Sequence, residues 1–262
     1  MVDYHVHSYL CRHGEGEIEQ YIESAIARGL TEIGFAEHIP IPDLDDPTGR
    51  MPIESWDIYV RDVLDAQRRY RDITVRFGIE ADYLPAHMAW IAEFLAAYPF
   101  DYVIGSVHFV NDWDFSNPAF RHRLDEAGVD ALYIAYYRLI AEAAATGLYD
   151  IIGHLDLPKK LCVQPTIDLS DPIGHALEAI RQHDLALDVN TSGLRKEAGE
   201  IYPNGGILRR AFLSGIPIAL GSDAHKPAEV AARFAEAITL VKTIGYAQCC
   251  VYDDRRRSLI EL

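Results

Sequence analysis

The sequence predicts an α/β barrel built from seven or eight strand–helix units, and three observations favour this fold class. Short apolar runs rich in β-branched and aromatic residues alternate with longer segments of helical periodicity along the whole chain. The helical segments carry recognisable starting and stopping residues. The chain has 262 residues, of which 49% are hydrophobic, so it can bury the core of one large domain. Repeated strand–helix units within one domain of this size are typical of a parallel barrel.

Seven segments have the composition of buried parallel strands, and an eighth is a weaker candidate. Such strands are expected as short, nearly continuous apolar runs between turn-forming residues. The weaker candidate comprises residues 249–252. The seven predicted strands comprise residues 2–6, 32–36, 74–79, 102–107, 150–153, 186–189 and 217–220.

Glycine and proline residues mark the ends of several helices between these strands. Glycine readily adopts the left-handed conformation that ends a helix, and proline is accepted at the first helical position because its missing N–H is not needed there. The predicted helices are one over 18–28 that stops at Gly29, one capped by Asp171 that begins at Pro172, one over 206–213 that stops near Gly215, and one that Pro227 opens and that ends before Gly245.

One long segment, residues 39–55, has no predicted secondary structure and contains four prolines. An irregular segment of this length inside a compact domain is usually functional or mobile. Two interpretations stay open for it. It is either a partial lid over an active site or a tolerated excursion of the surface.

The formal net charge of −16 narrows the classes of partner. Binding to nucleic acid needs clustered Lys and Arg to neutralise phosphates, and an acidic protein is also repelled by anionic membranes. We therefore expect neither a nucleic acid nor a membrane as partner, while the oligomeric state stays open. A phosphate-bearing small molecule would have to be bound locally, by metal ions and a few basic side chains.

Cysteine usage and hydropathy predict a soluble cytoplasmic protein. The four cysteines show no spacing typical of a disulfide framework, which favours a reducing compartment. No charged-then-apolar leader precedes the first histidines, and no apolar run approaches the length that spans a bilayer.

Side chains that bind metal ions follow most of the predicted strands. His5 and His7 stand two residues apart at the end of the first strand, so both leave the same face and can bind one metal ion. The sixth strand is the exception, because it ends in the hydrogen-bonding residue Asn190. Since the carboxyl ends of barrel strands meet at one end of the barrel, we expect a polynuclear metal site there. The other candidates are His13, Glu37, His38, Glu80, Asp82, His108, His154, Asp156, Asp223 and His225.

These motifs resemble the polymerase and histidinol phosphatase (PHP) superfamily of metal-dependent phosphoesterases, in the same order and over almost the whole chain. Segments 106–109, 153–160 and 190–196 are most similar to the monofunctional histidinol-phosphate phosphatases. The resemblance implies a distorted TIM-like (βα)7 barrel formed by a single domain over residues 1–262. The motifs are His5-Val6-His7, His13-Gly14, Glu37-His38, Gly78-Ile79-Glu80, Ser106-Val107-His108, Gly153-His154-Leu155-Asp156 and Gly221-Ser222-Asp223-Ala224-His225.

The resemblance further implies three divalent transition-metal ions. A carboxylate such as Glu80 has two oxygens and can bridge two cations, and a histidine-rich ligand set suits Zn, Fe or Mn better than Mg. Cys11 is expected to be a small packing residue. The implied ligand sets are His5, His7, Glu80 and Asp223 for the first ion, Glu80, His108 and His154 for the second, and His13, His38 and His225 for the third.

The implied activity is hydrolysis of a phosphate monoester, L-histidinol phosphate, to L-histidinol and phosphate in histidine biosynthesis. A hydroxide that bridges two metal ions would attack the phosphorus, with Glu80, Asp223 and His225 as catalytic residues. The phosphate is expected to contact Arg195 and one or both of two neighbouring lysines, and the cationic end of the substrate an acidic side chain. The substrate-binding candidates are Arg195, Lys159, Lys160, Glu37 and Asp156, with Asp114 as a further acidic candidate.

Three alternatives stay open. The first is a PHP phosphoesterase that acts on nucleotides or oligonucleotides, against which the lack of basic and aromatic tracts counts. The second is an amidohydrolase-like barrel, which also begins with two histidines but usually has a metal-bridging lysine that no isolated strand-end lysine matches here. The third is a non-catalytic, metal-stabilised interaction module.

Overall fold

The computed structural model describes residues 1–42, 44, 49–111, 113–124 and 128–262. The helices of these residues are α1 Ile18–Ala27, α2 Trp56–Arg69, α3 Met88–Ala96, α4 Val129–Ala144, α5 Ser170–Gln182, α6 Gly205–Leu213 and α7 Phe234–Ile244. The strands are β1 Val2–Val6, β2 Glu32–His38, β3 Thr74–Asp82, β4 Tyr102–Ser106, β5 Phe109–Val110, β6 Trp113–Asp114, β7 Ile151–Ile152, β8 Ala186–Asn190, β9 Ile218–Gly221, β10 Gln248–Asp253 and β11 Arg256–Glu261.

Seven strands form one parallel sheet in the order β1-β2-β3-β4-β7-β8-β9, and this sheet curls into a nearly closed barrel. The two edge strands meet just beyond β9. There His7 N donates to Ala224 O over 2.9 Å and Ala224 N donates to His5 O over 3.3 Å. The predicted α/β barrel with seven strands is confirmed. Each predicted barrel strand has its counterpart in the sheet, although β7 has only two residues.

The weaker eighth candidate is a strand, but it lies outside the barrel sheet. Residues 249–252 belong to β10, which pairs with β11 in an antiparallel hairpin. The turn of this hairpin bonds to residues that precede barrel strands, since Arg255 N donates to Asp101 O over 2.9 Å and its guanidinium contacts Asp150. The hairpin therefore covers the amino end of the barrel, opposite the end where a catalytic site is expected.

Aromatic side chains fill the barrel interior near this amino end. The Tyr102 side chain lies against two glycines, because a Cβ at Gly34 would lie 2.4 Å from its hydroxyl oxygen and a Cβ at Gly78 would lie 2.3 Å from its ring carbon Cζ. Its hydroxyl donates to Tyr4 O over 2.7 Å. Since aromatic side chains fill the amino end, the polar side chains inside the barrel lie at its carboxyl end.

The predicted end of α1 is confirmed, because Gly29 follows the helix with a φ of 73°. The predicted cap of α5 is wrong. This helix begins at Ser170, whose N–H is accepted by Asp168 Oδ1 over 2.8 Å, and Asp171 lies in its first turn. None of the helices in the described residues combines the length and apolar character that crossing a bilayer requires.

The predicted start of the last helix is also wrong. Pro227 opens only a short 3-10 helix, Pro227–Glu229, and α7 begins at Phe234. Between them Ala231 and Arg233 have φ values of 50° and 64°, outside the helical region. The buried carboxylate of Asp3 accepts from Ala231 N over 2.8 Å and thereby holds the chain in this interruption.

Candidate metal centre

The carboxylate of Glu80, at the carboxyl end of β3, lies at the centre of a buried cluster of imidazoles. Its side chain is 1% exposed. Five histidine nitrogens lie within 3.7 Å of its two oxygens, although they come from four strands or the residues after them. The distances are 2.8 Å to His38 Nδ1, 3.0 Å to His154 Nε2, 3.4 Å to His5 Nε2, 3.6 Å to His7 Nε2 and 3.7 Å to His108 Nε2.

A second carboxylate, Asp223, extends this cluster toward the first loop. Asp223 Oδ1 lies 3.5 Å from His7 Nε2 and 3.4 Å from His225 Nδ1. The ring of His225 stacks on those of His7 and His13, with centroids 4.2 and 4.4 Å apart. All nine predicted metal-binding residues are therefore brought together. We name this set the metal cup: His5, His7, His13, His38, Glu80, His108, His154, Asp223 and His225.

Three imidazoles of the metal cup are each held from behind by a buried carboxylate. A hydrogen bond at Nδ1 fixes the tautomer and leaves the lone pair of Nε2 directed inward, which is the usual arrangement behind metal-binding histidines. The three contacts are His5 Nδ1 to Asp188 Oδ2 at 2.8 Å, His7 Nδ1 to Glu37 Oε1 at 3.2 Å, and His108 Nδ1 to Asp82 Oδ1 at 2.8 Å.

Asp188 was not predicted from the sequence as a site residue. It lies on β8, two residues before Asn190, and is 2% exposed. Gly221, at the end of the neighbouring strand β9, leaves room for the Asp188 carboxylate and for His5. A Cβ at Gly221 would lie 2.3 Å from Asp188 Oδ1 and 2.6 Å from His5 Cβ. The sequence does hold one signal for such a role. An acidic residue within a strand that is otherwise apolar needs a partner for its buried charge, and a metal-binding histidine can be that partner.

Arg50 was also missed, and no local pattern marks it. Its guanidinium contacts the buried carboxylate of Asp82, and it lies 5.1 Å from the centroid of the Phe109 ring. Asp82 in turn orients His108 through the Nδ1 contact, so Arg50 acts on the metal cup through Asp82. Part of the proline-rich segment 39–55 therefore belongs to the site. Residues 43 and 45–48 of that segment lie outside the described residues, so the lid interpretation stays a prediction.

The inward-facing atoms of the metal cup fit divalent metal ions. His5 Nε2, His7 Nε2 and His225 Nε2 are buried, and none has a hydrogen-bond partner among the described residues. Leaving a buried polar atom without a partner costs about 1–3 kcal/mol, so several such atoms in one place are suited to binding a cation. Trios of ligand atoms in the cup, such as those of His5, Glu80 and His154, lie within 4.8 Å of one another.

The pKa shifts of His7 and Glu80 show how strongly the charges of the cup interact. Burial lowers the pKa of His7, but the surrounding carboxylates of Asp223, Glu37 and Glu80 outweigh burial and raise the pKa to about 9. Burial acts to raise the pKa of Glu80, yet the neighbouring imidazoles hold it well below the ordinary value. Because an imidazole must be neutral to bind a metal ion, metal binding at His7 would displace a proton.

Cys11 lies close to the cup without the character of a ligand. Its sulfur is within 4.8 Å of ligand atoms of His13 and His225. The thiol donates to Ser8 O over 3.0 Å, and burial raises its pKa far above the ordinary value. Because the thiolate is the form that binds metal, this environment favours the expected packing role.

A cavity of about 420 Å³ opens above the metal cup and has basic side chains along its wall. Arg195 donates from Nη2 to Ser222 O over 2.9 Å and to Asp223 O over 3.1 Å, which fixes its guanidinium beside the cup. The lining residues are His13, His38, Gly49, Arg50, Glu80, His108, Asp114, Ser116, Asn117, His154, Leu157, Lys160, Ser192, Arg195, Lys196, Tyr202, Asp223, His225, Lys226 and Glu229.

The two neighbouring lysines have different environments. Lys160 lines the cavity, and burial, followed by the charge of Lys196, lowers its pKa. Lys159 turns away, with Nζ 2.9 Å from Asp156 Oδ2 and donating to Ile201 O over 2.6 Å. Of this pair, Lys160 is thus the one that faces the cavity.

Two of the predicted acidic substrate contacts do not line the cavity. Glu37 is fully buried and accepts from Ser8 N over 3.0 Å and Ser8 Oγ over 2.7 Å, in addition to its contact with His7. Asp156 pairs with Lys159 and accepts from Asn204 N over 2.9 Å. Both carboxylates therefore act on protein groups behind the cavity wall.

Comparison with models of protein families identifies a PHP domain over residues 3–192. The chain belongs to the PHP domain family. The matched region contains seven of the nine metal-cup residues, and only Asp223 and His225 follow it. This membership favours the PHP resemblance over the amidohydrolase-like alternative.

Relatives of this PHP chain are similar over nearly their whole length. The "Probable histidinol-phosphatase" of Deinococcus radiodurans is 40% identical over 249 residues, which cover 94% of each protein. The "Histidinol-phosphatase" of Bacillus subtilis is 34% identical, covering 87% of this chain and 94% of the relative. A crystal structure of histidinol phosphate phosphatase from Lactococcus lactis, complexed with zinc, L-histidinol and phosphate, matches with a TM-score of 0.84 and 23% identity over 98% of both chains. It shows that the fold is shared.

Replacing Asp188 by Asn is expected to weaken metal binding by about 10- to 100-fold, because the hydrogen-bond acceptor that orients His5 loses its charge. Competition with a chromophoric chelator measures this change in affinity. Asp168→Asn is the matched control, since Asp168 only caps α5 at the surface. Equal metal affinities for the two variants would contradict the orienting role of Asp188.

Proposed function

We propose that this protein is a metal-dependent phosphatase that hydrolyses L-histidinol phosphate to L-histidinol and phosphate in histidine biosynthesis. The observation that carries the proposal is the metal cup, directly below a cavity with Lys160 and Arg195 on its wall. The buried Nε2 atoms of His5, His7 and His225 in the cup have no hydrogen-bond partner in the described part of the chain. The names of relatives 40% and 34% identical to this chain support the choice of substrate.

The cup is proposed to hold three divalent ions of zinc, iron or manganese. Such ions stabilise charge on phosphoryl oxygens and lower the pKa of water, so that a nucleophile is present near neutral pH. Glu80 is the proposed shared ligand, because both of its oxygens face imidazoles from different strands. The proposed sets are His5, His7, Glu80 and Asp223; Glu80, His108 and His154; and His13, His38 and His225.

Glu80, Asp223 and His225 are the proposed catalytic residues, and each belongs to the cup and also lines the cavity. Burial acts to raise the pKa of Asp223, but nearby imidazoles hold it well below the ordinary value. The carboxylate therefore stays charged. Ser192 Oγ donates to Asp223 Oδ2 over 2.9 Å and keeps the carboxylate in a fixed orientation at the cavity floor.

Arg195 and Lys160 are proposed to bind the phosphate of the substrate. Arg195 Nη1 is buried and has no hydrogen-bond partner in the described part of the chain, while Nη2 is held by two carbonyls. A guanidinium fixed in this way suits the geometry of phosphoryl oxygens. Lys160 adds a second positive charge, whereas Lys159, Glu37 and Asp156 are proposed to support the wall rather than contact the substrate.

Phosphate release tests the proposed substrate. The metal-loaded protein should hydrolyse L-histidinol phosphate with a kcat/KM about 100-fold or more above that for phosphotyrosine or nucleotides, since a site that binds polar substrate groups rejects analogues that lack them. Chelation should abolish the activity and zinc or manganese should restore it. Comparable rates on nucleotides would point to a different PHP phosphoesterase, and no activity on any ester would favour an interaction module.

The adjacent lysines offer a matched pair of variants. Lys160→Met should raise KM for L-histidinol phosphate by about 10- to 100-fold, because a charged contact with the phosphate is lost. Lys159→Met should leave the kinetics close to wild type, yet lower the free energy of unfolding by about 3 kcal/mol by leaving Asp156 unpaired. Steady-state kinetics and urea unfolding measure the two effects. The reverse pattern would show that the assignment of the lysines is wrong.

A further inference from the structure

We infer that Asp114 recognises the ammonium group of the substrate and thereby sets specificity for an aminoalkyl phosphate. The inference rests on the proposed function and deepens it. L-Histidinol phosphate carries a phosphate at one end and an ammonium group two carbons from the ester oxygen. A cavity that selects this molecule over other phosphate esters needs an anionic group as well as basic ones.

Four carboxylates line the cavity in the described residues, and three of them already have partners. Glu80 and Asp223 belong to the metal cup. Glu229 lies 3.6 Å from Arg195 Nε and accepts from His225 N over 3.0 Å. Asp114 lines the same cavity and forms no ion pair with any described residue, although its charge acts on Lys160 across the cavity. It is therefore the carboxylate of the cavity that remains available to a cation.

The orientation of Asp114 is fixed through one oxygen only. Oδ1 accepts from Ser116 N over 2.9 Å, from Ser116 Oγ over 2.8 Å and from Asn117 N over 3.1 Å. Oδ2 forms no hydrogen bond with the described residues. Three donors on one oxygen hold the side chain in place and leave the other oxygen with its acceptor capacity, which is the arrangement a preorganised binding group needs.

The backbone also ties Asp114 to the metal cup. Asp114 ends β6, which pairs with β5 in a short hairpin that begins directly after His108. Phe115 N, next to Asp114, donates to His108 O over 3.2 Å. The carboxylate therefore lies at a fixed position relative to the cup. The basic side chains Lys160 and Arg195 on the same cavity wall supply the opposite charge for the phosphate.

A comparison of two substrates tests this assignment in the metal-loaded protein. 3-(Imidazol-4-yl)propyl phosphate matches L-histidinol phosphate except that it lacks the amine. Asp114→Asn should lower kcat/KM for L-histidinol phosphate by about 10- to 100-fold, mainly through KM, because one charged hydrogen bond is lost. Its kcat/KM for the propyl phosphate should stay within about twofold of wild type. The same variant should bind L-histidinol itself more weakly in calorimetry.

Asp65→Asn is the control, because it removes the same charge from an exposed position on α2. It should leave both substrates unaffected. Ser116→Ala, which removes one donor from Asp114 Oδ1, should give a smaller loss confined to L-histidinol phosphate, and it serves as the test if Asp114→Asn does not fold.

Equal losses on both substrates, or unchanged kinetics, would overturn the role of Asp114 while leaving the proposed function intact. A wild-type protein that hydrolyses other phosphate esters but not L-histidinol phosphate would overturn the proposed function, and this inference with it.

Discussion

The position of Glu80 is the constraint on which the rest of the site depends. A buried carboxylate among five imidazoles is stable only if charge is balanced, and protons or metal ions are the two ways to balance it. The buried nitrogens without partners favour metal ions. The parallel barrel makes the arrangement possible, because it brings strand ends that are distant in sequence to one place.

The groups behind the metal cup orient its imidazoles, whereas the groups above the cup line the cavity. Asp188, Glu37 and Asp82 each accept from an imidazole Nδ1 and so direct Nε2 toward the centre. Above the cup, the cavity combines basic side chains with Asp114, a carboxylate that forms no ion pair with the residues that the structure describes. Under the proposed function, an acidic protein of net charge −16 binds a phosphate locally, and the inferred role of Asp114 lets the same cavity discriminate among phosphate esters.

The sequence allowed the barrel and the cup to be predicted because both follow from local patterns. Strand-like runs and the ligand types after them predict twelve candidate residues at the strand ends, and the resemblance to the PHP superfamily selects from these the nine residues of the metal cup. Contacts between residues that are distant in sequence could not be predicted in this way. No local sequence pattern indicates that Arg50 contacts Asp82, or that Lys160 rather than Lys159 faces the cavity. The start of α7 was wrong for the same reason, since Asp3, at the other end of the chain, holds the interruption before it.

The most direct test of the account is the metal content of Glu80→Gln, measured by elemental analysis after loading and gel filtration. The proposed ligand sets predict that wild-type protein retains three divalent ions per chain. The variant should retain about one, because the bridging carboxylate charge is removed from both of its metal positions together. A folded Glu80→Gln protein with undiminished metal content would contradict the shared site at the centre of the cup.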